Sequence, residues 1–256
     1  LINKELLVNK AKFIPIDSEH FSIYSLIGNS KNKDLEEVFI TASGGPFKDY
    51  PLKKFKSLGI KSALNHPNWK MGKKITIDSS TMMNKVFEII EAKKIFNFKY
   101  KQIKIIVHPQ SYVHAMIKFS NGLIKILVHE TNMKIPIFNS LYPNFEKKIT
   151  SKKINFDILN NLDFNNVDTK KFPVVNLINS LPHKESLYET VLVSANDRLV
   201  KHFLEKKIEF TDISKFLLKI IKRKEFQKYK HKAPINIDQI RSLNQYVSLK
   251  IDNLCV

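Results

Sequence analysis

The chain has 256 residues, 43 % of them hydrophobic with 18 Phe, which is enough material for one or two packed domains. Its formal net charge is +19, but the excess is nearly all lysine, with arginine only at Arg198, Arg223 and Arg241. Base-reading and phosphate-forking proteins lean on arginine, so this charge argues against a nucleic-acid partner; it fits the codon drift of an AT-rich genome and would also steer small anions. A single cysteine, Cys255, excludes an internal disulfide and suits a reducing cytoplasm, and no apolar run reads as a membrane span.

In chain order, the first informative segment is FIPIDSEH at 13–20. It reads as a strand ending in Asp17-Ser18-Glu19, and strand alternation would point Asp17 and Glu19 the same way. Two carboxylates that close repel each other unless a cation or proton lies between them, although a polar strand-to-loop junction looks the same. Next, VFITA at 38–42 predicts a strand, and Ser43-Gly44-Gly45-Pro46 a turn that lets backbone approach a ligand. The loop HPNWKMGKK at 66–74 holds the only Trp. A large apolar ring in a loop either packs back on the body or covers a ligand.

KITID at 74–78 predicts a strand, and Asp78-Ser79-Ser80-Thr81 the N-terminus of a helix. On that helix Asn84, Lys85, Glu88 and Glu91 share one face, while Met82, Met83, Phe87, Ile89 and Ile90 fill the others. A helix N-terminus with Ser79, Asn84 and Lys85 beside it suits a phosphate, and Glu88 adds a hard oxygen ligand. With Asp17 and Glu19, Glu88 would complete a three-carboxylate site for Mg²⁺ or Mn²⁺; an ordinary solvated helix face is the plainer alternative.

Further strands are predicted at IKIIVHP, YVHAMIKF and LIKILVH. His108 and His114, six apart, are read as structural. The polar, Asn-rich stretch 151–172 reads as a linking arm, and from 173 onward apolar residues recur at helical spacing, with Thr211-Asp212 as one helix start. The expected architecture is an α/β (α+β) catalytic domain with a mixed sheet over 1–150, the linking arm over 151–172, and a small C-terminal helical bundle over 173–256.

Taken together, NKE (3–5), IDSEH (16–20), ASGGPF (42–47), HPNWKMGKKITIDSSTMMNK (66–85), HPQSYVHAMI (108–117), TNMKIPI (131–137) and SANDRLVKHFLEKKIEFTDI (194–213) occur in an order that strongly resembles the 1-deoxy-D-xylulose 5-phosphate reductoisomerase family. The resemblance implies NADPH-dependent rearrangement and reduction of a sugar phosphate to 2-C-methyl-D-erythritol 4-phosphate in non-mevalonate isoprenoid synthesis. It implies Asp17, Glu19 and Glu88 as ligands of Mn²⁺, Mg²⁺ or Co²⁺. Ser43, Ser79, Asn84 and Lys85 would hold the phosphate, and Lys4, Ser18, His66 and Trp69 would touch substrate, with Lys4 a cation beside the reacting oxygens. Asn3, Glu5, Met71 and Gly72 match cofactor-contacting positions, and the loop from 66 to 73 a closing lid. A homodimer is also implied, in a bacterial cytoplasm or a plastid-type organelle.

The chain departs from the family in three places. It opens inside the NKE motif with six glycines in all and no glycine-rich dinucleotide loop, so it reads as a fragment lacking the NADPH-binding domain, expected not to turn over alone. The connector between Glu5 and Asp17 leaves no room for the helix expected there. Val86 stands where the family usually has Gly. An inactive remnant that keeps the metal and phosphate pocket is the runner-up, and a basic nucleic-acid-associating protein a distant third.

Overall fold

The four strands expected between 35 and 128 form one mixed sheet in the computed structural model, which describes residues 1–143 and 147–254. They are β1 (Leu35–Ala42), β2 (Ile103–Val107), β3 (Val113–Phe119) and β4 (Ile124–Val128), in the spatial order β2-β1-β3-β4. β1 runs parallel to β2, with Val38 opposite Ile103, and antiparallel to β3, with Val38 opposite Ile117 and Ile40 opposite Ala115. These four inward side chains of β1 and β3 have no solvent exposure, as alternation on a half-covered sheet requires. β4 closes one edge, with Ile124, Ile126 and Val128 exposed. Cys255 lies outside the described residues.

The helices of the first half are α1 (Ile2–Val8), α2 (Ser18–Ile27), α3 (Ile60–Ala63), α4 (Lys73–Thr81), α5 (Met83–Phe96) and α6 (Lys134–Leu141). α2 and α5 pack on the sheet and on each other, which brings the two carboxylate-bearing helices together. The arm carries a short helix, α7 (Phe156–Asn160), and touches β2 through a bridge between Asn165 and Val107. Beyond a 3₁₀ segment (Pro173–Ser180) come α8 (Tyr188–Leu204), α9 (Phe210–Ile220), α10 (Lys224–Gln227) and α11 (Ile237–Asp252). α8 is the hub, packed on α9, α11 and α4, and its buried residues join those around the sheet in one continuous apolar cluster.

Four local expectations are corrected. KITID is not a strand: residues 73–81 are helical, with Thr76, Ile77 and Ser80 buried. Thr76 and Ser80 hydroxyls return to the carbonyls of Gly72 and Thr76, and Ser80 also reaches the carbonyl of Ala63, so tertiary contacts override the strand preference of Ile and Thr. Asp78-Ser79-Ser80-Thr81 is therefore the last turn of α4, and α5 starts after Met82, whose φ of 65° breaks the path between the two helices. FIPID is likewise not a strand; Phe13, Ile14 and Ile16 are exposed, and Asp17 is the N-cap of α2. α9 starts two residues earlier than Thr211-Asp212: Glu209 is the N-cap and Asp212 completes a capping box from the third position.

Candidate active site

Asp17 Oδ1 accepts the backbone N–H groups of Glu19 (3.1 Å) and His20 (3.2 Å), the geometry of an acidic N-cap. That cap turns Glu19 inward from the first turn of α2, where it meets Glu88 on α5. One oxygen from each of Asp17, Glu19 and Glu88 lies within 4.8 Å of the others. The convergence anticipated from strand alternation is thus produced by a helix cap. Lys85 Nζ sits among these oxygens, 2.6 Å from Glu19 Oε1 and 2.8 and 2.7 Å from the two oxygens of Glu88. Asn84 Nδ2 adds a 2.5 Å bond to Glu88 Oε1, and Ser18 Oγ donates to Glu19 Oε2 at 2.5 Å.

Two charges about 4 Å apart interact by roughly 4 kcal/mol near a protein surface, so this cluster requires positive charge. Three hard carboxylate donors at this spacing, two of them already paired with an ammonium, fit a divalent cation such as Mg²⁺ or Mn²⁺. Burial pushes the Glu88 carboxyl well above its usual range, with Glu19 adding to the rise and Lys85 opposing it. Burial alone would lower Lys85, but Glu19 and Glu88 outweigh it and hold the ammonium charged.

His20 was not singled out by any motif, although its place three residues after a capping Asp is a usable signal. The ring is 2 % exposed, its Nδ1 is 3.2 Å from Asp17 Oδ1, and its Nε2 is 2.9 Å from the carbonyl of Glu88. Burial would lower its pKa, but the hydrogen bond and charge of Asp17, with Glu88, raise it to about 9. The imidazolium therefore donates to both helices and locks α2 against α5. For Asp17 burial works upward, and His20 overcomes it to hold the carboxyl far below its usual range.

The other wall is the turn after β1. Gly45, at φ 65°, approaches so closely that a Cβ there would lie 2.9 Å from the carbonyl oxygen of Ser79, so the turn is seated directly on the end of α4. Ser43 Oγ accepts the Gly45 N–H at 3.1 Å and lies 3.2 Å from His66 Nε2. His66 Nδ1 accepts the backbone N–H groups of Asn68 (3.2 Å) and Trp69 (3.0 Å), which assigns the proton to Nε2 and makes that nitrogen the donor to Ser43. Burial and then the Lys85 charge lower His66 to about 4, so the ring is neutral.

Trp69 is half-buried, packed edge-on against His114 with ring centroids 6.2 Å apart. His114 stacks on His129 at 3.7 Å, and His108 bonds the carbonyl of Asp163 while stacking on Phe164. The residues of the NKE motif lie elsewhere. Asn3 donates to the carbonyl of Lys94, six residues past Glu88 and so roughly 9 Å further along α5, and Lys4 and Glu5 are exposed. Met71 is half-buried and Gly72 exposed at the N-cap of α4.

Two family models match this chain, a 1-deoxy-D-xylulose 5-phosphate reductoisomerase C-terminal domain over residues 13–96 and a DXP reductoisomerase C-terminal domain over 129–248. The first takes in all three carboxylates and Lys85. The chain belongs to the 1-deoxy-D-xylulose 5-phosphate reductoisomerase family. It is 59 % identical over 256 residues to the reductoisomerase of Pelagibacter ubique (strain HTCC1062), covering 100 % of this chain and 66 % of that one. It is 41 % identical over 205 residues to that of Aquifex aeolicus (strain VF5), covering 80 % and 54 %. A solved reductoisomerase in complex with NADPH, fosmidomycin and magnesium superposes with a TM-score of 0.89 at 30 % identity, over 100 % of this chain and 66 % of that one. The reductoisomerase from Zymomonas mobilis in complex with NADPH gives 0.85 at 28 % identity, over 98 % and 64 %. The chain thus spans somewhat under two thirds of the length of these family members, and it shares their α+β fold.

Proposed function

We propose that this chain supplies the cation- and phosphate-holding part of a site that converts 1-deoxy-D-xylulose 5-phosphate to 2-C-methyl-D-erythritol 4-phosphate with NADPH. The observation that carries this is the convergence of Asp17, Glu19 and Glu88 within 4.8 Å, at positions matching the family motif. These three would hold the divalent cation: magnesium, as in a solved relative, or Mn²⁺ or Co²⁺. Bound there, the cation supplies Lewis acidity to the carbonyl and hydroxyl oxygens of the substrate.

The rest is done by the chain's own groups. Ser43 Oγ spends its two lone pairs on Gly45 and His66, so its proton is left to donate to a phosphate oxygen. Ser79, on the same wall, and Asn84 and Lys85, at the start of α5, complete the phosphate set. Anchoring that remote group contributes binding energy that orients the reacting end. His66, neutral, acts as a donor and spacer and not as a proton acceptor, while Ser18 faces the substrate beside Glu19. Trp69 covers the site and excludes water. Met71 and Gly72, on the same loop, would adjoin the nicotinamide, with Asn3 and Glu5 as further cofactor contacts. The division into a catalytic domain (1–150), an arm (151–172) and a helical domain (173–256) belongs to this reading, as does a homodimer through the exposed apolar edge of β4.

A second reading, cation and sugar-phosphate binding without turnover by the chain alone, is favoured by the position of α1, which holds Lys4 away from the carboxylates. Calorimetric titration of fosmidomycin with and without Mg²⁺ tests the site; Mg²⁺-dependent binding is expected, and none at all would overturn it. NADPH oxidation dependent on 1-deoxy-D-xylulose 5-phosphate then separates the two readings.

A further inference from the structure

Past His66, whose Nε2 bonds Ser43, the loop over the site is hydrogen-bonded to distant parts of the chain through one side chain. Among the described residues, the hydrogen bonds that leave residues 67–71 for a distant part of the chain all come from Asn68 Nδ2, which donates to the carbonyl of Pro109 at 2.8 Å and to Ser111 Oγ at 2.7 Å. Both acceptors belong to the turn between β2 and β3. Ser111 is 6 % exposed and has φ 52°, a conformation that costs a non-glycine residue free energy and persists where its surroundings enforce it. Its own N–H is tied to the carbonyl of His108 at 3.1 Å, and His108 is braced from the arm by the carbonyl of Asp163 and the ring of Phe164. A rigid, strained turn therefore presents two acceptors to one carboxamide. Next to it, Trp69 rests on His114, and both His66 and His114 lie close enough to Lys85 for its charge to act on them.

We infer that Asn68 is a positioning residue whose carboxamide latches the 66–72 loop to the 108–112 turn, fixing Trp69 beside the cation and phosphate pocket. This rests on the proposed function for what the loop covers, but the latch itself can be read without ligand. Asn has the required chemistry: one –NH₂ with two donors for two acceptors, on a stem short enough to hold the loop tightly. Aspartate, of the same shape, offers no donor and sets a negative charge against the carbonyl of Pro109.

The test uses Trp69, the chain's only tryptophan, in the ligand-free protein. Asn68→Asp and Asn68→Ala are expected to red-shift its emission and raise acrylamide quenching, with thermal unfolding by far-UV circular dichroism nearly unmoved. Two hydrogen bonds at their usual net worth correspond to a roughly tenfold or larger change in the latched-to-open ratio. Ser111→Ala, which leaves the carbonyl of Pro109 in place, should give a smaller change that is not additive with Asn68→Ala. Wild-type quenching in both Asn68 variants, or full additivity with Ser111→Ala, overturns the latch. If an Asn68 variant fails to fold, Ser111→Ala decides alone: increased quenching supports the latch and unchanged quenching overturns it. A second readout is a split: Asn68→Asp should weaken fosmidomycin binding with Mg²⁺ about tenfold or more, as expected for lost pre-organisation, and leave Mn²⁺ affinity unchanged. Failure of the wild type to bind fosmidomycin would count against the proposed function and not against the latch.

Discussion

Lys85 Nζ lies 2.7 Å from Glu88 Oε2, one turn away on the same helix, and 2.6 Å from Glu19 Oε1, 66 residues distant in sequence. The ammonium is buried and paired with two of the three carboxylates that would hold a divalent cation. On the proposed function, lysine and metal would compete for these carboxylates, and a bound metal would free Lys85 to turn toward a phosphate.

Lys85→Met tests that relationship. Removing one partner of a buried ion pair costs about 3–5 kcal/mol because the remaining charges are left uncompensated. The variant should lose stability of that order in urea melts without divalent ions and regain most of it when Mn²⁺ is added. Its Mn²⁺ affinity in the absence of anions should exceed that of the wild type. A variant as stable as the wild type without metal would show that the lysine is not the counter-ion of the cluster.

The histidines give pH slopes of opposite sign. His114, faced by His129, His108 and Lys85, is lowered to about 3, with burial as the main cause. The unfolded chain then binds more protons between that value and the ordinary histidine value of 6.5, so this group's share of stability falls as pH drops through that window. His20, raised to about 9, contributes fully below 6.5 and loses its share as pH rises to 9. The stability difference between wild type and His114→Phe should narrow from pH 7 to 4.5, and that between wild type and His20→Gln from pH 6.5 to 9. Each slope is bounded by about 1.4 kcal/mol per pH unit. Parallel stability curves for wild type and either variant would remove that histidine from the pH response.

Asp78 ties α4, which directly follows the 66–72 loop, to the helical part. Its Oδ1 accepts from Asn196 Nδ2 at 2.8 Å, its Oδ2 pairs with Lys74 at 2.7 Å, and the side chain is 1 % exposed. Asp78→Ala leaves a fully buried amide without its acceptor and should cost about 2–4 kcal/mol in chemical denaturation. Mn²⁺ affinity should stay within about twofold of wild type, because calorimetry senses the carboxylates and not this joint. A near-neutral effect on unfolding would mean that Asp78 does not couple the two parts.

The sheet was legible in the sequence because VFITA, IKIIV, VHAMIKF and LIKILV are β-branched and aromatic runs bounded by turns, with local pattern and tertiary demand in agreement. KITID has the same composition, yet it is helical because Ser80 and Thr76 find carbonyl partners and Ile77 is buried among helices, which no local pattern encodes. The three carboxylates were legible as a set, but for the wrong local reason: Asp17-Ser18-Glu19 is a helix cap, and an acidic residue just before a Ser-Glu first turn is itself a cap signal. The lysine among the carboxylates, the imidazolium of His20 and the Asn68 latch were not legible, since each depends on residues brought together from distant parts of the chain.

The most direct measurement is a calorimetric titration of Mn²⁺ into the wild type and Glu88→Gln. The substitution keeps shape while replacing a charged ligand by a neutral one, and it also weakens the hold on Lys85. One site per chain is expected in the wild type, with affinity lower by about tenfold or more in the variant, as for loss of a charged oxygen ligand. Equal affinities, or no saturable site in either protein, would contradict a cation held between Asp17, Glu19 and Glu88.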